Sequence, residues 1–220
     1  MLVVAGGSGT RMGATLPKQF LPVAGRPILM HTLGRFFSID PEMRLVLALP
    51  AAWSDEWRSL VADHGFKVPH ILVNGGATRT LSVRNALKAV SDADCLIGIH
   101  DGVRPFFSSA MIDRVMTAAE REGAAVPVVP VVQSLREVNG PDNHSVDRSR
   151  FRAVQTPQCF RSALLRTAYD ALKDDDHSDD ATVVELSGHA ITMVEGDEMN
   201  VKITTPTDLK LAESMINGEL

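Results

Sequence analysis

Five short runs of β-branched and aliphatic residues, separated by segments with helical spacing, constrain this chain more than anything else in its sequence. Residues 2–5, 45–49, 70–73, 95–100 and 124–129 are near-continuous apolar stretches of strand length. Runs without apolar–polar alternation are the pattern of strands covered on both faces. Between them, residues 27–37, 54–64, 78–90 and 108–122 repeat apolar residues at helical spacing. Ser54 is expected to cap the second of these helices, with Trp57 as its first apolar anchor. Gly65 and Gly123 are expected to end the second and the fourth. Strand–helix alternation of this kind predicts an α/β fold, a Rossmann-like, mainly parallel sheet with helices on both faces. Ligands of such sheets bind outside the carboxyl ends of the strands, so the chemistry is sought in the residues after each strand.

One segment breaks the alternation. Residues 133–151 are polar, lack helical period and carry Asn139-Gly140-Pro141-Asp142-Asn143 in their middle. They are expected to form an extended β-hairpin arm that turns at those five residues, because a structureless insert of this length would be unusual in a compact domain. Beyond it a helix is expected over 162–172, an acidic loop over 174–180, then a short helix, a strand over 191–194 and a last helix from Thr207. With no internal repeat and no linker, residues 1–220 are expected to form one domain.

The formal net charge of −5 removes any bulk positive field for holding a nucleic-acid backbone. A phosphate ligand must instead be bound locally, by a few placed cations and backbone amides. Cys95 and Cys159 match no metal or redox spacing, and the seven histidines show no ligand spacing. No apolar stretch approaches the roughly 20 residues that span a bilayer, and the first residues do not resemble a signal peptide. Nucleic acid and membrane are therefore not expected as partners, and a cytoplasmic location is expected.

The first strand runs into Ala5-Gly6-Gly7-Ser8-Gly9-Thr10-Arg11-Met12-Gly13. Its glycines allow backbone amides to approach an anion where any Cβ would obstruct. The dinucleotide fingerprint fails, since the sixth position from Gly7 is Met12 and no acid closes the second strand, where Pro50 follows Leu49. The P-loop fails too, because Lys18 stands between Pro17 and Gln19 rather than opening a helix before Ser or Thr. What remains is a turn flanked by Arg11 and Lys18, a guanidinium fork and a point charge suited to a triphosphate that loses pyrophosphate. Asp101, at the end of another strand, is well placed for Mg²⁺ or a ribose hydroxyl, and unpaired there it would be costly.

These segments resemble the 2-C-methyl-D-erythritol 4-phosphate cytidylyltransferases of the non-mevalonate isoprenoid pathway. The resemblance rests on six ordered motifs spanning nearly the whole chain. They are the glycine-rich turn with Pro17-Lys18-Gln19-Phe20; Gly75-Gly76 with Arg79 and Ser82; and His100-Asp101-Gly102-Val103-Arg104-Pro105. Val146-Asp147-Arg148 with Gln155-Thr156-Pro157-Gln158, then Ser178-Asp179-Asp180-Ala181, and Asn200-Val201-Lys202-Ile203-Thr204 complete the set.

The resemblance implies a nucleotidyltransferase-type fold and transfer of CMP from CTP to the polyol phosphate, with Mg²⁺ as cofactor. It implies that Arg11, Lys18, Arg148 and Lys202 are catalytic. The first two would stabilise charge on the α-phosphate, and the last two would position the incoming phosphate. Ala5, Gly6, Gly7, Gly76, Ser82 and Asp101 would bind the nucleotide, Asp101 also the metal. Arg104, Ser134, Thr156 and Ser178 would contact the second substrate, while Arg79 and Arg84 are expected to be structural or solvated. The arm would interlock with a second subunit of a homodimer and bring Arg148 to the neighbour's site. Departures fall at Ala77 and Met199, where relatives often carry an acid, and at Ser134 and Ser178, where some carry threonine. The alternatives at this point are a ribitol-5-phosphate cytidylyltransferase and a nucleotide-binding homologue without turnover.

Overall fold

The computed structural model describes residues 1–6, 16–175 and 177–218. After β1 (Leu2–Val4) come a small hairpin of β2 (Pro22–Val23) and β3 (Arg26–Pro27), then α1 (Ile28–Ile39), β4 (Val46–Leu49), α2 (Ser54–Asp63) and β5 (Ile71–Asn74). Next are α3 (Arg79–Leu87), β6 (Leu96–Asp101), α4 (Ser109–Glu122), β7 (Ala124–Pro130), β8 (Leu135–Asn139) and β9 (Asp142–Val146). The chain ends through β10 (Arg152–Val154), β11 (Gln158–Arg161), α5 (Ser162–Ala171), α6 (Asp180–Leu186), β12 (Thr192–Glu195) and α7 (Pro206–Asn217).

Eight strands form the main sheet, in the order β10-β7-β11-β6-β1-β4-β5, with β12 also on β7. β1 pairs in parallel with β4 and β6, and β4 with β5. β11 runs antiparallel between β6 and β7, so the sheet is mixed although mainly parallel. β10 continues along the edge of β7 that β11 occupies, while β12 lies parallel to β7. The side chains of β1 show how the layers are built. Leu2 and Val4 join Val46 and Ala48 against Val83, Ala86, Leu165, Ala168 and Val184, from α3, α5 and α6. Val3 and Ala5 join Leu47 and Leu49 against Leu29, Leu33, Phe36, Trp57 and Met111, from α1, α2 and α4. Both faces are thus covered, and each fully buried Leu or Phe contributes roughly 1.5–3 kcal/mol.

Two local expectations need correction. Ser54 does not cap α2; it lies within the first turn, its buried hydroxyl without a partner, and a 3₁₀ turn over Ala51–Trp53 leads in from Pro50. β5 is not covered on both faces, because it is the edge strand, and Ile71 is half exposed. Thr78 and Ser108 do cap α3 and α4 with their hydroxyls, and Gly123 ends α4 with a φ of 93°.

Within the 133–151 segment, β8 and β9 pair only with each other among the described residues, from Leu135↔Val146 to Asn139↔Asp142. The two loop residues are Gly140 and Pro141, and Gly140 has the positive φ, 59°, that tight hairpin turns require. Residues Arg148–Arg150 form a 3₁₀ turn rather than a strand. Among the described residues, no helix is long and apolar enough to cross a membrane.

Candidate active site

The carboxyl ends of β1, β5 and β6 meet the loop between β12 and α7 around a cavity of about 270 Å³. Its lining includes Ala5, Gly6, Lys18, Gly76, Ser82, Asp101 and Lys202, seven residues singled out from sequence and drawn from five separate segments. Gly7 and Arg11 lie outside the described residues.

Each side of the cavity has a local reason for its shape. Gln19, buried, donates from Nε2 to the carbonyl of Ala5 at 2.7 Å, which ties the Pro17–Phe20 turn and Lys18 to the end of β1. On the β5 side, Ser82 accepts from the Gly76 amide at 3.0 Å and donates to the Thr78 carbonyl at 2.9 Å. That pairing folds the Gly75-Gly76 loop onto the first turn of α3. A Cβ on Gly76 would stand 2.2 Å from Leu81 Cβ, so only glycine fits.

Asp101 is the electrostatic centre. Its Oδ2 accepts from Arg104 Nε at 3.1 Å and pairs with Lys202 Nζ at 3.0 Å. Burial alone would push this carboxyl up, but the charges of Lys202, Arg104 and Arg79 outweigh it and hold the group well below the usual carboxylate range. Asp101 is therefore ionised at neutral pH. Behind it, His100 is fully buried, edge-on to Phe36 and Phe107, and its ring contacts Thr156 Oγ1 at 3.1 Å and the Arg104 carbonyl at 2.9 Å. Burial lowers its pKa to about 4, only partly offset by those contacts and by Asp101, so the imidazole is neutral.

The loop carrying Lys202 is tied down from three directions. Gln155 donates to the Asp197 carbonyl at 2.8 Å and accepts from the Asp197 amide at 3.0 Å. Asn200 donates to the Thr156 carbonyl at 2.8 Å, and Arg104 Nη1 donates to the Asn200 carbonyl at 2.9 Å. Gly196 passes so close to β7 that a Cβ would meet Gln155 Oε1 at 2.5 Å and the Val128 carbonyl oxygen at 2.9 Å.

Arg79 also lines the cavity, although the sequence suggested only a structural or solvated role. Its Nη2 pairs at 2.5 Å with Asp180, which is fully buried and takes the Tyr169 hydroxyl at 2.6 Å. The neighbouring Arg84 is structural, bonded to Asp175 and the Tyr169 carbonyl. Other candidates stand outside the lining. Arg104 and Thr156 touch Asp101 from behind, the latter by accepting its amide at 3.1 Å. Ser178 is exposed in the loop before α6. Ser134 and Arg148 are exposed at the base of the arm, where the Arg148 guanidinium donates to the Val132 carbonyl. Sequence reasoning missed Gln155 and Asp180 as organisers, although both fall inside the quoted motifs.

A cavity at strand ends with glycine-shaped loops, two lysines, an arginine and one ionised carboxylate suits a polyphosphate chain next to a polar ring. The family model for IspD, 2-C-methyl-D-erythritol 4-phosphate cytidylyltransferase, matches residues 1–218. The chain belongs to this family. The cytidylyltransferase of that name from Bacteroides fragilis is 45% identical over 215 residues, covering 98% of each chain. Its namesake from Porphyromonas gingivalis is 46% identical over 219 residues, covering 99% of this chain and 97% of that one. The crystal structure of the cytidylyltransferase from Thermus thermophilus superposes with a TM-score of 0.77 at 37% identity, covering 98% of both chains. Four of the six motifs of this chain line the cavity, namely those carrying Ala5 to Gln19, Gly76 to Ser82, Asp101 and Lys202.

Proposed function

We propose that this protein transfers the cytidylyl group of CTP to 2-C-methyl-D-erythritol 4-phosphate and releases pyrophosphate. The observation that carries this beyond family membership is the clustering of Lys18, Lys202, Arg79 and Asp101 around one glycine-walled cavity. A phosphate oxygen of the second substrate attacks the α-phosphorus of CTP in line. A new P–O bond forms, the bond to the β-phosphate bridging oxygen breaks, and pyrophosphate leaves with that electron pair. A phosphomonoester is already an anionic nucleophile near neutral pH, so no general base is required. Catalysis is then positioning and neutralisation of charge.

Lys18 and Arg11 serve the α-phosphate, and Lys202, held by Asp101, and Arg148 position the incoming phosphate. Ala5, Gly6 and Gly76, and Gly7 by the same motif, bind the nucleotide. Ser82 spends its one hydroxyl proton on the Thr78 carbonyl, so toward a base it offers only an oxygen lone pair. That lone pair accepts from an amino group and rejects a carbonyl, as a site choosing cytosine over uracil needs. Arg104 and Thr156 act from behind Asp101, and Ser134 and Ser178 border the second substrate. Among the described residues no group of three or more His, Cys, Asp or Glu could cage a metal. A single pocket carboxylate is nevertheless enough for Mg²⁺, which commonly takes one or two carboxylates plus substrate phosphates. Asp101 would hold such an ion, which supplies charge neutralisation for the triphosphate.

The whole chain works as one cytidylyltransferase domain, with residues 133–151 as an arm that engages a second copy in a homodimer. A lone two-stranded hairpin is marginal in water. This one leaves Val138 70% exposed, and Val132 at its base is 66% exposed, apolar surface that a partner would cover. The test is pyrophosphate release from CTP and Mg²⁺ with methyl-erythritol phosphate and ribitol phosphate side by side. Release with the first and little with the second is expected. A strong ribitol preference would overturn the substrate, and silence with both would overturn the reaction.

A further inference from the structure

A second concave surface lies apart from the catalytic cavity and shares no lining residue with it. It is a cleft of about 650 Å³, lined by α1, the turn after α2, the β3 strand and the end of α7. Its lining is chemically one-sided. Arg26, His31, Arg35, His64 and Lys67 contribute to it, and no Asp or Glu does. In a chain with 27 acidic residues against 22 Lys and Arg, an acid-free concavity with two arginines and a lysine runs against composition. Among the described residues, none of the five takes part in an ion pair. Arg35 is also oriented. Its Nε donates to the Phe107 carbonyl at 3.0 Å, while neither terminal guanidinium nitrogen has a partner among the described residues. The remaining lining is largely apolar: Met30, Phe37, Phe66, Val68, Phe106 and Ile216. The charges of Arg26, Arg35 and Lys67 facing one cleft repel each other, and a bound anion relieves that repulsion.

We propose that this cleft is a binding site for a small amphiphilic oxyanion, a phosphate- or diphosphate-type head joined to an apolar body. The head lies between Arg26, Arg35 and Lys67, and the body rests against Phe66, Phe106 and Ile216. The volume falls in the range of small-molecule pockets, about 300–1,000 Å³. The proposal is independent of the reaction at Asp101.

The probe is anilinonaphthalene sulfonate, an aromatic anion whose fluorescence rises on apolar contact, titrated into the full chain with saturating CTP present. Saturable one-to-one binding is expected, with displacement by inorganic pyrophosphate, because CTP already fills the catalytic cavity. The double variant Arg26→Glu with Lys67→Glu should bind the probe at least roughly tenfold more weakly, as two exposed attractions become repulsions. Arg35→Gln alone should also weaken binding. All three side chains are exposed, so cytidylyl transfer by both variants should be retained, and it reports that they are folded. Absence of saturable binding, failure of pyrophosphate to displace the probe, or unchanged affinity in both variants would each overturn the proposal.

Discussion

Replacing Asp180 by alanine tests whether the cavity wall depends on a charge buried behind it. Asp180 is inaccessible and Arg79 is 23% exposed, so the pair sits at the margin between buried and wet. Removing one partner of a buried ion pair costs about 3–5 kcal/mol, mainly because the other charge is left uncompensated. Partial exposure of Arg79 puts this pair near the low end, about 3 kcal/mol. The buried Tyr169 hydroxyl also loses its acceptor, which adds about 1 kcal/mol. The expected loss, about 4 kcal/mol, is a large part of a typical stability of about 5–15 kcal/mol. For a chain of this size it corresponds to a fall in Tm of about 10 °C or more. Urea and thermal unfolding measure it, and a cycle with Arg79→Met separates the pair from the packing. The double variant should be more stable than Asp180→Ala alone, because the stranded guanidinium is gone. Arg79 lines the cavity, so KM for CTP should rise in Asp180→Ala at temperatures where it is still folded. A loss below about 1 kcal/mol, or strictly additive single effects, would refute this reasoning.

Four further outcomes are expected. His100 has a folded pKa of about 4 against 6.5 when unfolded, so the unfolded chain takes up the proton first as pH falls. Its contribution is fully present above pH 6.5 and is lost on going down to about pH 4. Wild type should lose about 3 kcal/mol more than His100→Gln over that window in urea titrations. Gly76→Ala forces the glycine loop off Leu81, which should raise KM for CTP about tenfold and lower stability by about 1–3 kcal/mol. Gln155→Leu strands the Asp197 amide and carbonyl, so stability should fall by about 2 kcal/mol and turnover by more than tenfold through a loosened Lys202. Lys18→Ala should cost roughly 10²–10³ in kcat. If sites are shared through the arm, mixing that variant with Arg148→Ala should recover activity in verified hybrid dimers, and no recovery would refute the sharing.

The layers were legible because they depend on periodicity. Leu2–Val4 and Val46–Leu49 are apolar runs without alternation, as is Leu96–Asp101 up to its last two residues, and each has a partner strand on both edges. The edge strand β5 has a similar sequence but only half the cover, since strand position depends on pairing partners that no local pattern encodes. Ser54 misled for a related reason. A cap is a backbone conformation, and the preceding Pro50 starts a 3₁₀ turn that carries the chain into α2 before the hydroxyl can act. The arm was legible as an interruption, and its turn was placed by Gly140 and Pro141.

The candidate site was legible in its charges and opaque in its supports. Lys18 and Asp101 were readable as a cation beside a glycine-rich turn and a carboxylate at a strand end, and Lys202 through the resemblance to the family. What holds Lys202 beside Asp101 is different in kind. Gln155 reaches Asp197 across 42 positions, Asn200 reaches Thr156 across 44, and Arg104 reaches the Asn200 carbonyl across 96. All three are side-chain bonds to backbone, which impose no periodicity and no charge complementarity on the sequence. A neutral amide inside a motif therefore looks interchangeable until the backbone it satisfies is seen. Yet each such bond closes off a buried amide or carbonyl that would cost about 1–3 kcal/mol unpaired, comparable to the worth of the ion pair they align. The loop's placement thus depends on the neutral amides of Gln155 and Asn200 as well as on the charges that make it recognisable. Exchanging Lys202 for arginine would keep the charge and this scaffold, whereas exchanging Gln155 for leucine would keep every charge and lose the geometry.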